Sequence, residues 1–243
     1  MKVLFALIFI GLSHICISQE IVNVVMVGKN GITENIKDAD AFIVVKKIDN
    51  HFQRLDYKMN APLIKERNYT DSTLTILQGK YYEYDINGQL SLMGEYENNL
   101  KENTWNIYND TGKVILKKKY LNDVLVETSD PDTIKKEEEK IDSLNKSEKE
   151  ASFGRRENDW LKYLLKSLKA NVALNSANGG QVRVMYVVDT LGKCTEVMLK
   201  KSVEFVLDEE AKRIIYFSPR WNPAYQKGRK VKAYRIQPIT FVK

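Results

Sequence analysis

The 243-residue sequence is poor in the residues from which disulfide frameworks and metal centres are built. It has two cysteines, two histidines and five prolines, and the prolines are scattered along the chain. This excludes a disulfide framework and a zinc site of clustered cysteine and histidine. No long apolar run follows the N-terminus, which excludes a protein with several membrane spans. We therefore expect neither a metal nor any other cofactor.

The first residues are typical of a secretory signal. A basic start is followed by an apolar run of 15 residues, 3–17. A spanning helix needs about 20 residues, so the pattern predicts a cleavable signal peptide over 1–18 and export to the periplasm. Cys16 would then leave with the signal. The alternative is a retained inner-membrane anchor, in which His14 becomes a candidate motor contact.

Positive charge is concentrated in the C-terminal part of the chain. Residues 153–243 contain 18 Lys and Arg against 8 Asp and Glu, a net charge of +10, whereas the whole chain carries +6. Residues 1–152 are therefore mildly acidic. The lysines are dispersed in a chain predicted to be secreted, so no nucleic-acid partner is expected. Acidic peptides and peptidoglycan are better electrostatic partners.

An internal repeat of 24 residues occupies the middle of the chain, and a more degenerate copy precedes it. Each unit predicts a β-hairpin, because a strand leads into Asn87-Gly88 or Thr111-Gly112 and a second strand follows. The matched pairs are Tyr81 and Trp105, Tyr84 and Tyr108, Gly88 and Gly112, Leu90 and Val114, Tyr96 and Tyr120, and Asn98 and Asn122.

Residues 57–125 resemble the MORN-like repeats of bacterial surface and periplasmic proteins, whose pattern is G-x-W-x-x-Y-x-x-x-G. The first copy runs from Gly79 through Tyr81 to Gly88, and in the second copy Asn103 stands where the family prefers glycine. The resemblance implies stacked hairpins. Apolar and β-branched runs separated by turn residues predict further strands at 21–27, 41–48 and 52–57, so that the β-rich region covers 19–127. We expect the aromatic side chains to fill the spaces between the hairpins rather than to bind a ligand.

The segment 128–152 differs from both neighbouring regions, since 13 of its 25 residues are charged. Its large apolar residues are Ile134, Ile141 and Leu144, which permit only a thin helical stripe. The composition predicts a solvated helix or a plain spacer, and therefore a domain boundary.

The C-terminal region 153–243 predicts an α+β unit of helix, β-hairpin, helix and last strand. Apolar residues at 160, 161, 164, 165 and 168 indicate an amphipathic helix, and the alternation at 182–188 indicates a strand that returns through Val197 and Leu199. Residues 207–215 indicate a second helix, for which Asp208 is a candidate N-cap. Gly228 opens a last strand at 229–241.

This region resembles the TonB C-terminal domain in the form common in Bacteroidetes-type proteins. The motifs follow the order found in the family, and most of their residues are expected to have structural rather than functional roles. They are Gly180-x-Val182, Val187-Val188-Asp189, Gly192, Val197, Lys201-Ser202-Val203, Leu207-Asp208-x-Glu210-Ala211, Arg213, Pro219-x-Trp221-x-Pro223, Gly228, Val231 and Pro238-Ile239-x-Phe241.

The resemblance implies a non-enzymatic periplasmic protein that binds an extended peptide of an outer-membrane receptor or other envelope protein by strand addition, in connection with TonB-dependent transport. A transducer would carry an uncleaved membrane anchor, whereas the N-terminal apolar run here is short and typical of a cleavable signal, and it would carry a long proline-rich stretch, whereas the five prolines here are scattered. The binding edge is predicted at Lys230, Val231, Lys232, Ala233, Tyr234, Arg235 and Ile236. Its cations either favour an acidic peptide or only keep the edge soluble.

Two alternatives remain open from the sequence. The hairpin repeats could be the main contact surface of a structural or interaction protein, with the C-terminal unit as a folded tail. A homodimer could form by exchange of a free edge strand.

No candidate catalytic group emerges. After signal removal, His51 is the only histidine, and it falls in a predicted strand far from the C-terminal unit. Gly179-Gly180 is not followed by the pattern of a phosphate-binding loop. Cys194 follows Lys193, which could lower the thiol pKa, but a small residue packed in a strand is the simpler interpretation. The sequence predicts that the protein is not an enzyme.

Overall fold

The computed structural model describes residues 19–145, 149–156, 158–169, 172 and 176–242. The predicted signal peptide at 1–18, with Cys16 and His14, lies outside the described residues. Among those described, no helix has both the length and the apolar character needed to cross a membrane.

The N-terminal half forms one antiparallel sheet in which nearly every strand pairs with the next strand along the chain. Its spatial order is β10-β9-β8-β7-β6-β5-β4-β3-β1-β2, and a short 3-10 helix, Ile36–Asp38, follows β2. This confirms the predicted β-hairpin region. The strands are β1 (Gln19–Gly28), β2 (Gly31–Thr33), β3 (Ala39–Ile48), β4 (His51–Lys58), β5 (Leu63–Tyr69), β6 (Leu77–Tyr84), β7 (Leu90–Glu97), β8 (Leu100–Tyr108), β9 (Val114–Leu121) and β10 (Val124–Ser129).

Two kinds of turn connect the repeated hairpins. Within each repeat, Gly88 or Gly112 takes a left-handed conformation, with φ of 76° and 79°. Between hairpins, two adjacent residues both have positive φ, 48° and 70° at Asn98-Asn99, which is the signature of a type I′ turn. Asn122-Asp123 repeats this geometry before β10. The 24-residue period is therefore a period of turn chemistry as well as of aromatic residues.

Four of the repeated aromatic residues, Tyr81, Tyr96, Trp105 and Tyr120, pack against one another on one face of the sheet, whereas Tyr84 and Tyr108 pack toward the C-terminal unit. Trp105 is buried, and its ring centroid lies 5.5 Å from that of Tyr81 and 5.1 Å from that of Tyr96. The indole covers Gly94, where an added Cβ would stand 2.2 Å from the ring. These contacts show the packing role expected for the aromatic residues.

The charged segment after the sheet contains helix α1 (Pro131–Asn145). Ile134 is buried, and Lys117 of β9 bonds Glu137 at 3.0 Å, so the helix packs against the sheet. Of the two forms expected for 128–152, a helix is therefore present. The limits of the predicted domains remain predictions.

The C-terminal unit has the predicted α+β order of helix, hairpin, helix and edge strand. The elements are α2 (Asp159–Ser167), β11 (Gly180–Val188), β12 (Cys194–Lys201), α3 (Phe205–Tyr216), β13 (Ala224–Gln226), β14 (Arg229–Val231) and β15 (Ala233–Phe241). They form a three-stranded sheet β12-β11-β15 and a two-stranded hairpin β13-β14.

Two sequence expectations about the helices are wrong in detail. Helix α3 begins at Phe205 with Glu204 at the N-cap position, so Asp208 is not the cap but a buried residue of the first turn. Helix α2 does not bury its whole predicted stripe, because Leu161 and Leu165 are exposed whereas Trp160, Tyr163 and Leu164 pack inward.

The long sheet and the C-terminal unit share one hydrophobic core. Tyr57, Leu63 and Tyr84 from the sheet belong to the same buried cluster as Leu199 and Leu207. The Tyr84 hydroxyl donates to the carbonyl of Leu199 at 3.1 Å, and the N–H of Leu63 donates to the Ser202 hydroxyl at 2.8 Å. The repeats therefore serve as a platform for the C-terminal unit.

Candidate functional site

Strand β15 forms one edge of the three-stranded sheet. It pairs with β11 from Gly180 opposite Phe241 to Val188 opposite Ala233, without a break in register. Among the described residues, no strand pairs with the other side of β15. This side of the strand is therefore the open edge of the sheet.

Pro238 shows which residues of β15 face that edge. It lies opposite Arg183 of β11. A proline has no N–H for a ladder, so within sheets it occupies positions whose backbone points away from the partner strand. Alternate residues of an antiparallel strand direct their backbone groups to the same side. Tyr234 and Ile236 share this alternation, so their N–H and C=O groups point toward the open edge.

A groove of about 450 Å³ lies at this end of β15. The Tyr234 side chain is 70% exposed and that of Ile236 is 44% exposed, whereas Trp221 is buried and packs its ring 5.3 Å from that of Tyr186. Tyr186 lies opposite Arg235, so the aromatic pair and Arg235 share one face of the sheet. The side chains of Tyr234 and Ile236 lie on the other face, and the groove is at the edge between them. Its lining consists of Met185, Tyr186, Trp221, Tyr234, Arg235, Ile236 and Gln237.

The seven predicted edge residues fall in two strands rather than one. Lys230 and Val231 belong to β14, Lys232 lies between strands, and β15 begins at Ala233. The expectation of a continuous strand over 229–241 is wrong, because the segment changes partners at Lys232: β14 pairs with β13 across the turn at Lys227-Gly228, whereas β15 pairs with β11.

The backbone of Lys230 is not used in the pairing of β14 with β13. Its partner Tyr225 exchanges both backbone hydrogen bonds with Lys149, at 2.8 and 3.4 Å. Directly opposed antiparallel residues turn their backbone groups either toward each other or both away. Lys230 therefore directs its N–H and C=O away from β13.

Sequence reasoning missed the floor of the groove. The burial of Trp221 agrees with a structural role, and the alternation at 182–188 predicts no more for Tyr186 than a place in a strand. Neither can be placed beside Arg235 without the register of β11 against β15, in which Tyr186 opposes Arg235 and Val187 opposes Tyr234. The Trp221-x-Pro223 motif is the sequence feature that could have pointed to this aromatic pair.

An acidic side chain already contacts the basic edge. Arg235 bonds Glu150 at 3.2 Å, and both side chains are partly exposed. Such a surface pair contributes little to stability, about 0–1 kcal/mol. It shows, however, that a carboxylate can reach Arg235 from the solvent side.

A second polar cluster joins the long sheet to the C-terminal unit. The carboxylate of Asp208 accepts hydrogen bonds from the Tyr57 hydroxyl at 3.0 Å, the Ser202 hydroxyl and the N–H of Val203 at 2.9 Å. Burial raises the pKa of Asp208 to about 7, although these three donors and Lys212 favour its charged form.

Charged partners accompany Asp208 in this interface. Glu209 bonds Lys46 of β3 and lies 2.7 Å from Lys212 of its own helix. Burial alone would raise the pKa of Glu209, but the two lysines lower it to about 2. Each of these charged groups has a partner within the fold, although the Glu209 oxygen that faces Lys212 makes an ion pair without a hydrogen bond. The cluster is therefore a docking network rather than an open site.

Cys194 and His51, two reactive side chains of the described residues, lie in different sheets. Burial raises the pKa of the Cys194 thiol to about 11, which leaves little thiolate at neutral pH. His51 opens β4 in the long sheet, opposite Ile48. Within the described part of the chain, no cluster of three or more His, Cys, Asp or Glu could hold a metal ion.

Comparison with known families identifies the C-terminal region. The sequence model described as "Gram-negative bacterial TonB protein C-terminal" matches residues 171–242. This part of the chain is a TonB-type C-terminal domain. The match covers the β11-β12 hairpin, α3 and β13 to β15, and begins after α2. No curated protein and no solved structure matches the chain.

The TonB-type domain sets the coarse function. It points to a TonB-like protein of the periplasm or cell envelope that is linked to transport and interacts with envelope proteins, and the domain itself is non-enzymatic. The matched region does not include the hairpin repeats. Their likeness to MORN-like repeats therefore stays a prediction.

Proposed function

We propose that this chain is a non-enzymatic periplasmic protein that captures an extended peptide of an outer-membrane or other envelope protein as a strand added to β15. The proposal rests on one observation: Tyr234 and Ile236 direct their backbone groups to an open edge beside the groove. An extended peptide can satisfy these groups with its own backbone and place alternate side chains in the groove.

Pro238 limits the length of the added strand. It offers no N–H to the edge, so the ladder of donors from Tyr234 and Ile236 stops there. A proline on an edge strand also deters uncontrolled pairing. We therefore infer that the captured peptide registers on the segment from Lys230 to Ile236 and does not extend to the end of β15.

Charge favours an acidic or mixed peptide. Lys230 and Lys232 are exposed, and Arg235 already donates a hydrogen bond to the carboxylate of Glu150. A peptide carboxylate could take the place of Glu150 without burying an unpaired charge. Complementary charges of this kind set partner choice and association rate more than affinity.

The test uses the full mature chain and an array of ten-residue peptides that cover periplasm-exposed segments of outer-membrane proteins. Ile236→Pro removes the free N–H without touching the β11 ladder, and Ile236→Val keeps that N–H. We expect Ile236→Pro to lose binding to the array peptides and Ile236→Val to retain it. Equal binding by both variants would exclude strand addition.

Charge reversal provides an independent test of the partner. Lys230→Glu with Lys232→Glu should weaken binding of acidic peptides about tenfold, and the remaining binding should depend little on salt concentration. Binding that is unchanged by the reversal would leave the edge lysines with a solubility role only.

The localisation of the protein depends on whether the predicted signal peptide is cleaved. Release of residues 1–18 would yield a soluble periplasmic protein, whereas their retention would make it an anchored transducer. Intact mass of the native protein, measured separately in soluble and membrane fractions, distinguishes the two. A soluble species that begins near Gln19 supports the periplasmic adaptor, and a membrane-bound species that keeps the N-terminus supports energy transduction.

A second candidate function lies in the repeats. Strand β10 is the free end of the long sheet, and its Val124, Leu125 and Val126 are all exposed. Deletion of the repeats cannot test this function, because Tyr57 and Tyr84 belong to the shared core. Val126→Lys, which leaves the core intact, should abolish partner recovery from the native host if β10 is the contact. Recovery that depends only on Ile236 would assign the partner to β15.

A further inference from the structure

Helix α2 is apolar on two sides. Its inner side packs Trp160 against Trp221, with ring centroids 5.6 Å apart, and the Tyr163 hydroxyl donates to the carbonyl of Ile214 at 2.9 Å. On the outer side, Leu161 is 51% exposed and Leu165 is 67% exposed. Residues four apart lie on the same helix face. The two leucines therefore form one apolar spot that no described residue covers.

Cations surround this spot. Lys162 and Lys166 follow the two leucines on the exposed side of α2, and both are exposed. Arg155 and Arg156 precede the helix and Lys169 follows it, again exposed. Leu161, Lys162, Leu165 and Lys166 are called the leucine–lysine face below.

Acidic residues do not neutralise the face within the described residues. Asp159 is the acid on α2, and its carboxylate accepts the N–H groups of Arg155 and Arg156, both at 3.0 Å. Its ion pair with the Arg156 side chain is long, at 3.4 Å, and mostly exposed on the arginine side. Lys162 and Lys166 have no ion pair among the described side chains.

We propose that the leucine–lysine face docks on the surface of a bilayer that contains anionic phospholipid. Exposed leucines can enter the boundary between headgroups and acyl chains, while flanking lysines contact lipid phosphates. The leucines and lysines are exposed together on one helix, which offers no open backbone edge for an extended peptide such as the one at β15. An anionic bilayer surface fits both the exposed leucines and the positive charge. This proposal is independent of strand addition at β15.

The test is co-sedimentation of the mature chain with vesicles of phosphatidylcholine, with and without phosphatidylglycerol. We expect binding only to the anionic vesicles, and binding that weakens as ionic strength rises. The double variant Leu161→Ser with Leu165→Ser should bind about tenfold more weakly or worse, because it removes the apolar insertion. The matched control is Leu191→Ser, since Leu191 is 68% exposed in the turn before β12 and should leave binding unchanged.

A charge-matched pair separates a local site from general basicity. Lys162→Glu with Lys166→Glu changes the net charge by the same amount as Lys230→Glu with Lys232→Glu. We expect only the first pair to abolish vesicle binding. The proposal is overturned if the wild type does not bind anionic vesicles, if the serine variants bind normally, or if both charge pairs weaken binding equally. Capture of an acidic protein without vesicle binding would assign the face to a protein partner instead.

Discussion

The two equivalent glycines of the repeat offer a controlled test of how the C-terminal unit is held. Gly88 and Gly112 stand at the same turn position, with φ of 76° and 79°. An added Cβ at Gly88 would lie 2.2 Å from the carbonyl oxygen of Ser202, whereas one at Gly112 would meet nothing within 4 Å. Gly88 also accepts a hydrogen bond from the N–H of Ser202 at 2.8 Å. The contact with Ser202 thus distinguishes the two positions.

Alanine at either position incurs the cost of a left-handed conformation, ~1–2 kcal/mol. Gly88→Ala adds a clash with a backbone atom, ~1–3 kcal/mol by analogy with overpacking. It also endangers the hydrogen bond from Ser202, which contributes about 1 kcal/mol. We therefore expect Gly112→Ala to lower the free energy of unfolding by ~1–2 kcal/mol and Gly88→Ala by ~3–5 kcal/mol.

The assay is urea denaturation, followed by tryptophan fluorescence and circular dichroism. Because Trp105 lies in the repeats and Trp160 and Trp221 in the C-terminal unit, coincident transitions by both probes report one cooperative unit. Equal losses for the two glycine variants would refute the docking of the turn against Ser202. Two separate transitions in the wild-type protein would refute the shared core.

Three further outcomes follow from the buried contacts. Tyr57→Phe deletes the hydroxyl that donates to Asp208, so it should lower the free energy of unfolding by ~1.5–3 kcal/mol in the same urea assay; no loss would mean that the bond is not formed. Burial raises the pKa of Asp208 from 3.8 to about 7, so the folded state binds more protons between these values and its stability falls as pH rises. Relative to Asp208→Asn, the wild type should lose on the order of 2 kcal/mol between about pH 5 and 8, and a flat difference would contradict this. Gly94→Ala should displace the indole above it and shift Trp105 fluorescence, and an unchanged spectrum would contradict that packing.

The sequence was sufficient to predict the local elements. Apolar and β-branched runs with turn residues between them predicted the strands that became β1, β3 and β4, and the 24-residue period predicted the hairpins of β6 to β9. Strand β10 was missed because Val124–Ser129 presents only a short apolar run before a charged segment. The β13-β14 hairpin, and with it the break at Lys232, was not predicted because a glycine such as Gly228 is compatible both with the start of a strand and with a turn.

Contacts between distant parts of the chain could not be predicted in the same way. Tyr57 and Asp208 are 151 residues apart, and no periodicity links them. The assignment of Asp208 as an N-cap rested on residue type alone, whereas its burial in the interface depends on the docked sheet. The exposure of Leu161 and Leu165 likewise depends on which side of α2 the core occupies. The order of the helices and strands can be predicted from local sequence patterns, whereas the way they pack together depends on contacts between distant residues.

The most direct test of strand addition is amide hydrogen exchange at Tyr234 and Ile236, measured with and without an array peptide that binds. If the peptide adds a strand, both amides become hydrogen-bonded, and their exchange should slow by about tenfold or more. Arg235, already paired with β11, should change much less. Unchanged exchange at Tyr234 and Ile236 under saturating peptide would show that the peptide binds elsewhere and would contradict the account.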